Sequence, residues 1–311
     1  MPSSENHIAL PPHVANQAYM DVSALDGGRL SCPAWTIIGD VPKTSNERFN
    51  IPLLGFHLRH SVSGKRVVYD LGMPRLEDLP KLPEFEAFAK GLLGNKSEGN
   101  LLKLISYEGH GCVEDSLRKG WVQPEEVDVV VISHLHWDHV GDARPFTKAE
   151  FVLGAEAKGI MTGEDPHTQS PVVVPTSAPT ERTRFIVNWE TSIGGLKAHD
   201  FFGDGSMYVL DIPGHLKGNV AILVRTSSDG SWILLIGDAV HHMSILHGER
   251  GFAHHDDGHG NIFCIHVDPD MARETIRKLK VLADAPRVQV QIAHEDVDKE
   301  VHLPGKFEPL A

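Results

Sequence analysis

A chain of 311 residues, 41% of them hydrophobic, has apolar material for one large core, and its composition excludes coiled coil or low-complexity disorder as whole-chain descriptions. The formal net charge is −13 and no basic run is present, so the surface repels phosphate backbones and nucleic acid is not an expected partner. Three cysteines, Cys32, Cys112 and Cys264, sit at neither zinc-knuckle nor redox spacing and are too few for a disulfide-stapled fold.

Residues 1–60 are rich in Pro, Gly, Asn and Ser, with strand candidates at 34–38 and 51–56; they are expected to form an embellishment that wraps the core. The first residues show neither the basic leader nor the apolar centre of a signal peptide, and the longest apolar stretches, 127–132 and 232–237, are strand-sized. The expectation is a cytoplasmic protein with no membrane partner, in which the glycosylation-like Asn95-Lys96-Ser97 is a chance match. Residues 65–72 read as a strand running into a Gly-Met-Pro turn. Residues 83–93 are helix-compatible, 95–100 read as an exposed loop, and 111–120 as a short helix with basic residues before a glycine stop. The nearly continuous apolar run 127–133 is the kind of strand buried on both faces, in a sheet covered by helices. Residues 147–160 read as a helix, and 161–204 as polar and turn-rich with a weak strand at 184–187.

Short apolar strands return at 207–211, 220–224 and 232–236. The His- and Gly-rich stretch 241–266 is expected to be an insertion on the rim of the active site. Asp268-Pro269 reads as the cap of an amphipathic helix over 271–282, and a last strand covers 288–293. Alternating strands and helices favour a layered α/β architecture in a single domain, 1–311.

Chemistry concentrates where the strand 127–133 ends. His134, His136, Asp138 and His139 fall within six residues. One histidine among 20 needs no explanation, but four ligand-type side chains buried together without a metal would leave polar groups seeking partners. Imidazole and carboxylate suit borderline or hard divalent ions. Ligands two apart in an extended turn can converge on one ion, and the Asp138-His139 pair can reach a second. His215, Asp238 and His294 arrive at later strand ends and complete a set of seven. The expected division gives His134, His136 and His215 to one ion and Asp138, His139 and His294 to the other, with Asp238 between them. Zinc is the first expectation, with manganese, iron or cobalt as alternatives.

The run SHLHWDHVGD resembles the signature of the metallo-β-lactamase-fold hydrolases in their binuclear form. The resemblance continues through Tyr69-Asp70-Leu71-Gly72, Pro213-Gly214-His215 with Gly218, Gly237-Asp238 and the strand ending at His294. It implies a four-layer αββα sandwich, two mixed β-sheets flanked by helices with the metal site at one edge, and the seven ligands named above. Residues 267–279 and His215-Leu216-Lys217-Gly218-Asn219 are similar to the N-acyl homoserine lactonases within that family. Those lactonases commonly carry a tyrosine three residues after the bridging aspartate, where this chain has His241; they often have Asp where it has Glu295. A homodimer through the N-terminal arm is a family-based expectation.

Two ions so placed activate water for attack on an ester or amide carbonyl. Asp138 is expected to orient the nucleophile or shuttle a proton, and His241 to assist the carbonyl. The first functional expectation is opening of a small lactone; a lactam or thioester exposes a carbonyl to the same attack, and a metal-binding scaffold without turnover is the non-enzymatic alternative. Asp70 is expected to brace a ligand imidazole or ligand loop, Asp211 to do likewise or to serve a turn, and Ser133 to hydrogen-bond. Trp137 is read as pocket wall or core. His247, His254, His255, His259 and His266 are read as exposed or substrate-loop residues, and Phe49, Phe56, Phe185 and Phe263 as core.

Overall fold

The computed structural model describes residues 10–82, 86, 106–107, 111–166, 173–174, 176–256 and 262–295. Strands β1 (Met20–Pro33), β2 (Arg48–His60), β3 (Arg66–Tyr69), β4 (Ser106–Tyr107), β5 (Val129–Val131), β6 (Glu150–Gly154) and β7 (Thr183–Ile186) form one sheet in the order β4-β1-β2-β3-β5-β6-β7. Then come β8 (Thr191–Ile193), β9 (Leu196–Asp200), β10 (Met207–Asp211), β11 (Val220–Arg225), β12 (Trp232–Leu235), β13 (His254–Asp256), β14 (Ile262–Cys264) and β15 (Val288–Gln291). β13 and β14 pair as a separate hairpin, and the others form the second sheet, β15-β12-β11-β10-β9-β8. Both large sheets are mixed: β3, β5, β6 and β7 pair in parallel, as do β12 and β15, and the remaining pairs are antiparallel. The described helices are α1 (Val113–Lys119), α2 (Ala157–Thr162), α3 (Met243–Leu246) and α4 (Pro269–Ala283).

The period-2 alternation of strand side chains builds the layers. Val67, Tyr69, Val129, Val131, Val209, Ile222, Val224, Ile233 and Leu235 belong to the core between the two sheets. Their sequence neighbours Val68, Val130, Leu210, Ala221, Leu223 and Leu234 belong to a second core that takes in the buried faces of α1 and α4. Strands buried on both sides explain the continuous apolar runs, and the result is an αββα sandwich.

In the segment 1–60, expected to embellish the core, β1 and β2 are the two longest described strands and pair along almost their whole length, with a register shift between Asp26 and Arg29; the strand candidate 51–56 lies within β2. Two other readings of the sequence are corrected. Residues 34–36 form a 3₁₀ turn, leaving only an isolated bridge between Ile38 and Phe252. Within 147–160, β6 occupies Glu150–Gly154 and only the end of the segment is helical; a short apolar run bounded by glycine fits either state, and parallel pairing with β5 decides it. The segment 83–93 (Glu86 apart), the loop 95–100 with Asn95-Lys96-Ser97, and His259 lie outside the described residues.

Topology gathers the strand ends. β11 runs antiparallel to both β10 and β12, and β15 runs parallel to β12, so β10, β12 and β15 all finish at one edge. The parallel pair β3 and β5 finishes opposite them: Val220 N donates to Ser133 O (2.9 Å) and Tyr69 Oη to Val220 O (2.9 Å) across the seam. α4 secures the loop after β10. Its Asp268 cap accepts from Met271 N, Thr275 Oγ1 donates to Pro213 O (2.7 Å), and Asp268 N donates to Gly214 O (2.9 Å). At the far end of that loop Gly218 adopts φ +75°, where a Cβ would sit 2.4 Å from Ala157 N at the start of α2. Gly218→Ala should therefore lower unfolding stability by about 2 kcal/mol or more. Urea denaturation in excess chelator checks this; a loss below about 0.5 kcal/mol would mean the loop relaxes freely.

Candidate metal centre

The seven expected ligands converge at the sheet edge. His134, His136, Asp138 and His139 follow β5, His215 follows β10, Asp238 follows β12 and His294 follows β15. Two groups form, His134, His136, His215 and Asp238, then Asp138, His139, Asp238 and His294; the ligand atoms within each lie within 4.8 Å of one another. All seven are buried except His136, which is half-buried.

The donor set fits cations rather than a hydrogen-bond network. His134 Nε2, His136 Nδ1 and His215 Nε2 lie 2.9–3.2 Å apart, with Asp238 Oδ2 at 3.7–3.8 Å from the Nε2 atoms of His215 and His134. Ligands about 2.0–2.1 Å from a tetrahedral ion are themselves separated by roughly 3.3 Å, which these spacings bracket. The Nδ1 protons are engaged elsewhere. His139 Nδ1 donates to Asp70 Oδ2 (2.8 Å), His294 Nδ1 to Pro52 O (3.0 Å) and His134 Nδ1 to Ser133 Oγ (2.9 Å), whose own proton goes to Asp70 Oδ2 (2.7 Å). That leaves the inward Nε2 of His134 as a lone pair, while the Nε2 atoms of His139 and His294 face Asp238 Oδ1 at 3.1 Å. In the second group His139 Nε2 and Asp238 Oδ1 are buried without a hydrogen-bond partner although 3.1 Å apart. Such an arrangement is unfavourable until a cation occupies it.

Asp70 carries the bracing role expected of it. It is fully buried, with φ +60°, a left-handed conformation that Asp tolerates better than most residues. Its carboxylate takes Ser133 N (2.6 Å), Ser133 Oγ and His139 Nδ1. Asp211 does not join it, and pairs instead with Lys197 at 3.3 Å.

Electrostatics separates the two groups. Burial depresses the imidazoles of His134 and His215 well below their ordinary range and takes His136 to about 3. Burial acts the same way on His139 and His294, but the Asp238 carboxylate outweighs it and holds both above the ordinary histidine value. The two carboxyls move apart. Burial raises Asp138, whereas His139, His294 and His241 overcome burial at Asp238 and keep it ionised far into acid.

A cavity of about 230 Å³ opens over the centre. Leu30, Ile37, Ile51, Trp137, Leu216 and Ile265 line it beside the ligands and His241. Trp137 is both pocket wall and core. Phe263, on β14, was expected in the core but lines this cavity; Phe56 is buried in the core, and Phe49 and Phe185 pack against core residues half-buried. Of the histidines read as exposed or loop-borne, His247 and His254 are exposed and His255 stacks on Phe263. His266 is buried against His215, a position that its irregular sequence spacing did not disclose.

The profile of the metallo-β-lactamase superfamily matches residues 62–288. The gamma-lactamase FDB1 of Fusarium pseudograminearum is 31% identical over 250 residues, 76% of this chain and 57% of FDB1. The metallo-hydrolase mfmC of Annulohypoxylon moriforme is 27% identical over 238 residues, 75% of this chain and 60% of mfmC. The chain thus spans about three fifths of the length of these curated relatives. A solved N-acyl homoserine lactone hydrolase with N-hexanoyl-L-homoserine bound at its catalytic metal centre shares the fold, with a TM-score of 0.62, 17% identity and coverage of 89% of this chain and 92% of that one. The chain belongs to the metallo-β-lactamase superfamily, and its two ligand groups together fit a binuclear metal site.

Two outcomes follow from this geometry. Asp70→Ala removes the acceptor of the His139 proton and should weaken metal affinity by about 10–100-fold, read by competition with a chromophoric chelator. Loading the empty protein at neutral pH should also release protons, because His139 and His294 hold theirs above the ordinary range whereas His134, His136 and His215 are already neutral. Affinity should accordingly fall as pH falls. Calorimetry in buffers of different ionisation enthalpy measures the release, and a value of zero at pH 7 would contradict the assignment.

Proposed function

We propose that the protein is a hydrolase that opens the ring of a small, uncharged lactone. One observation carries the reading: a cavity walled by apolar side chains, with no lysine or arginine among its described lining residues, faces a set of seven ligands for two divalent cations. A substrate bearing phosphate or carboxylate would find no countercharge in that wall. A neutral ring carbonyl loses little on entering. When bound, the two cations lower the pKa of water and polarise a carbonyl oxygen.

The chain's own groups supply the rest. Asp138 lines the cavity with His294 Nε2 3.6 Å from its carboxylate, where it orients water and carries a proton toward the departing ring oxygen. His241 lines the same wall; its ring stacks on His294 at 5.5 Å and its Nε2 lies 3.0 Å from Asp238 Oδ2. The one N–H of a neutral His241 can turn from Asp238 Oδ2 to donate to the substrate carbonyl, a role for which N-acyl homoserine lactonases commonly use tyrosine. Burial pushes the cavity thiol of Cys32 up to about 11, so it stays protonated at neutral pH and is no nucleophile. Hydrolysis adds one water across the acyl carbon–oxygen bond: the acyl carbon gains hydroxyl and the ring oxygen leaves with a proton.

A second reading, opening of a lactam ring, is favoured by the gamma-lactamase FDB1, which at 31% is more similar in sequence than the other relatives described above. A panel of neutral and anionic lactones, lactams, thioesters and phosphodiesters, with intact-mass analysis of products, separates the readings. The expected result is a mass gain of one water on neutral lactones, at least about tenfold lower kcat/KM on their anionic analogues, and loss of turnover in Asp238→Asn. Lactam turnover above lactone turnover selects the second reading. Protein that binds two metals and opens no ring overturns both.

A further inference from the structure

Histidine ligands that bind through Nε2 depend on whatever holds the proton at Nδ1. Three such partners in this centre are oxygens, from Asp70, Ser133 and Pro52. The fourth is different. His215 Nδ1 lies 3.3 Å from Nδ1 of His266, a buried imidazole packed edge-on against Phe252 at 4.5 Å. His266 Nε2 is itself buried without a partner. Two neutral imidazoles facing through Nδ1 can share only one proton, and a bare His215 Nε2 requires that His215 keep it.

We infer that His266 is a positioning residue of the metal centre: it accepts the Nδ1 proton of His215 and thereby presents His215 Nε2 to the cation shared with His134 and His136. The backbone reinforces the side chain. Val267 N donates to His215 O (3.0 Å) and Asp268 N to Gly214 O (2.9 Å), so residues 266–268 grip both ends of the ligand. The same segment forms cavity wall through Cys264, Ile265 and Val267. His266 thus ties the surface that meets substrate to the atom that meets metal. The inference concerns the metal centre alone and holds whichever ring is opened.

Zinc titration against a competing chelator tests it on wild type, His266→Phe and His266→Asn. Asparagine places an acceptor oxygen close to the position of Nδ1 and phenylalanine does not. His266→Phe should weaken one of the two zinc sites by about 10–100-fold and leave the other within about twofold; His266→Asn should recover most of the loss. Any fall in turnover should sit in kcat rather than KM. Long-range proton–nitrogen spectra of zinc-loaded wild type should place the His215 proton on Nδ1, a readout that does not depend on any variant folding. Wild-type affinity at both sites in His266→Phe would overturn the inference, as would a His215 proton found on Nε2.

Discussion

The structure is organised around an electrostatic conflict that protein atoms alone do not resolve. Imidazoles and the Asp138 and Asp238 carboxylates face one another beneath the cavity with almost no exposed surface of their own. Placing them there is unfavourable, and the fold meets that cost with rigid supports behind the ligands. Asp70 braces His139 directly and His134 through Ser133, Pro52 O braces His294, and His266 faces His215. The centre is held in place from outside by carboxylate, carbonyl and imidazole, and charge inside it is left for cations to balance.

That arrangement explains why the ligands sit at strand ends. A strand buried on both faces has no room for a solvated polar side chain, so polar chemistry is displaced to the residue where the strand stops. Parallel pairing of β12 with β15 and of β3 with β5 sets those stops side by side. The seam between Ser133 and Val220 then joins the edges of the two sheets. A short loop suffices for each ligand because the sheets fix where it begins.

How much of this could be read from the sequence varies with the reach of the signal. His134, His136, Asp138 and His139 announce themselves because four ligands after an apolar strand are improbable by chance, and helix α4 because Asp268 and Pro269 mark its start. Strand β1 was obscured by Gly27, Gly28 and Pro33, residues that usually end strands but here sit at a register shift and a strand end, whereas β2 was read only in part, at 51–56. Strand β6 is a short apolar run whose state only its neighbours decide. His266 and Phe263 carried no local signal: one is a single histidine in an irregular stretch and the other a single aromatic, and each acquires its role from where β14 and the residues after it lie against the metal centre and its cavity.

The bond between His294 Nδ1 and Pro52 O joins residues 242 positions apart. Biosynthesis therefore makes the brace long before the ligand that needs it. A nascent chain that has emerged through Asp238 holds the complete three-histidine group, yet its second group lacks a member until β15 has left the ribosome and docked beside β12. The second group is therefore complete only when the last strand has reached its place beside β12.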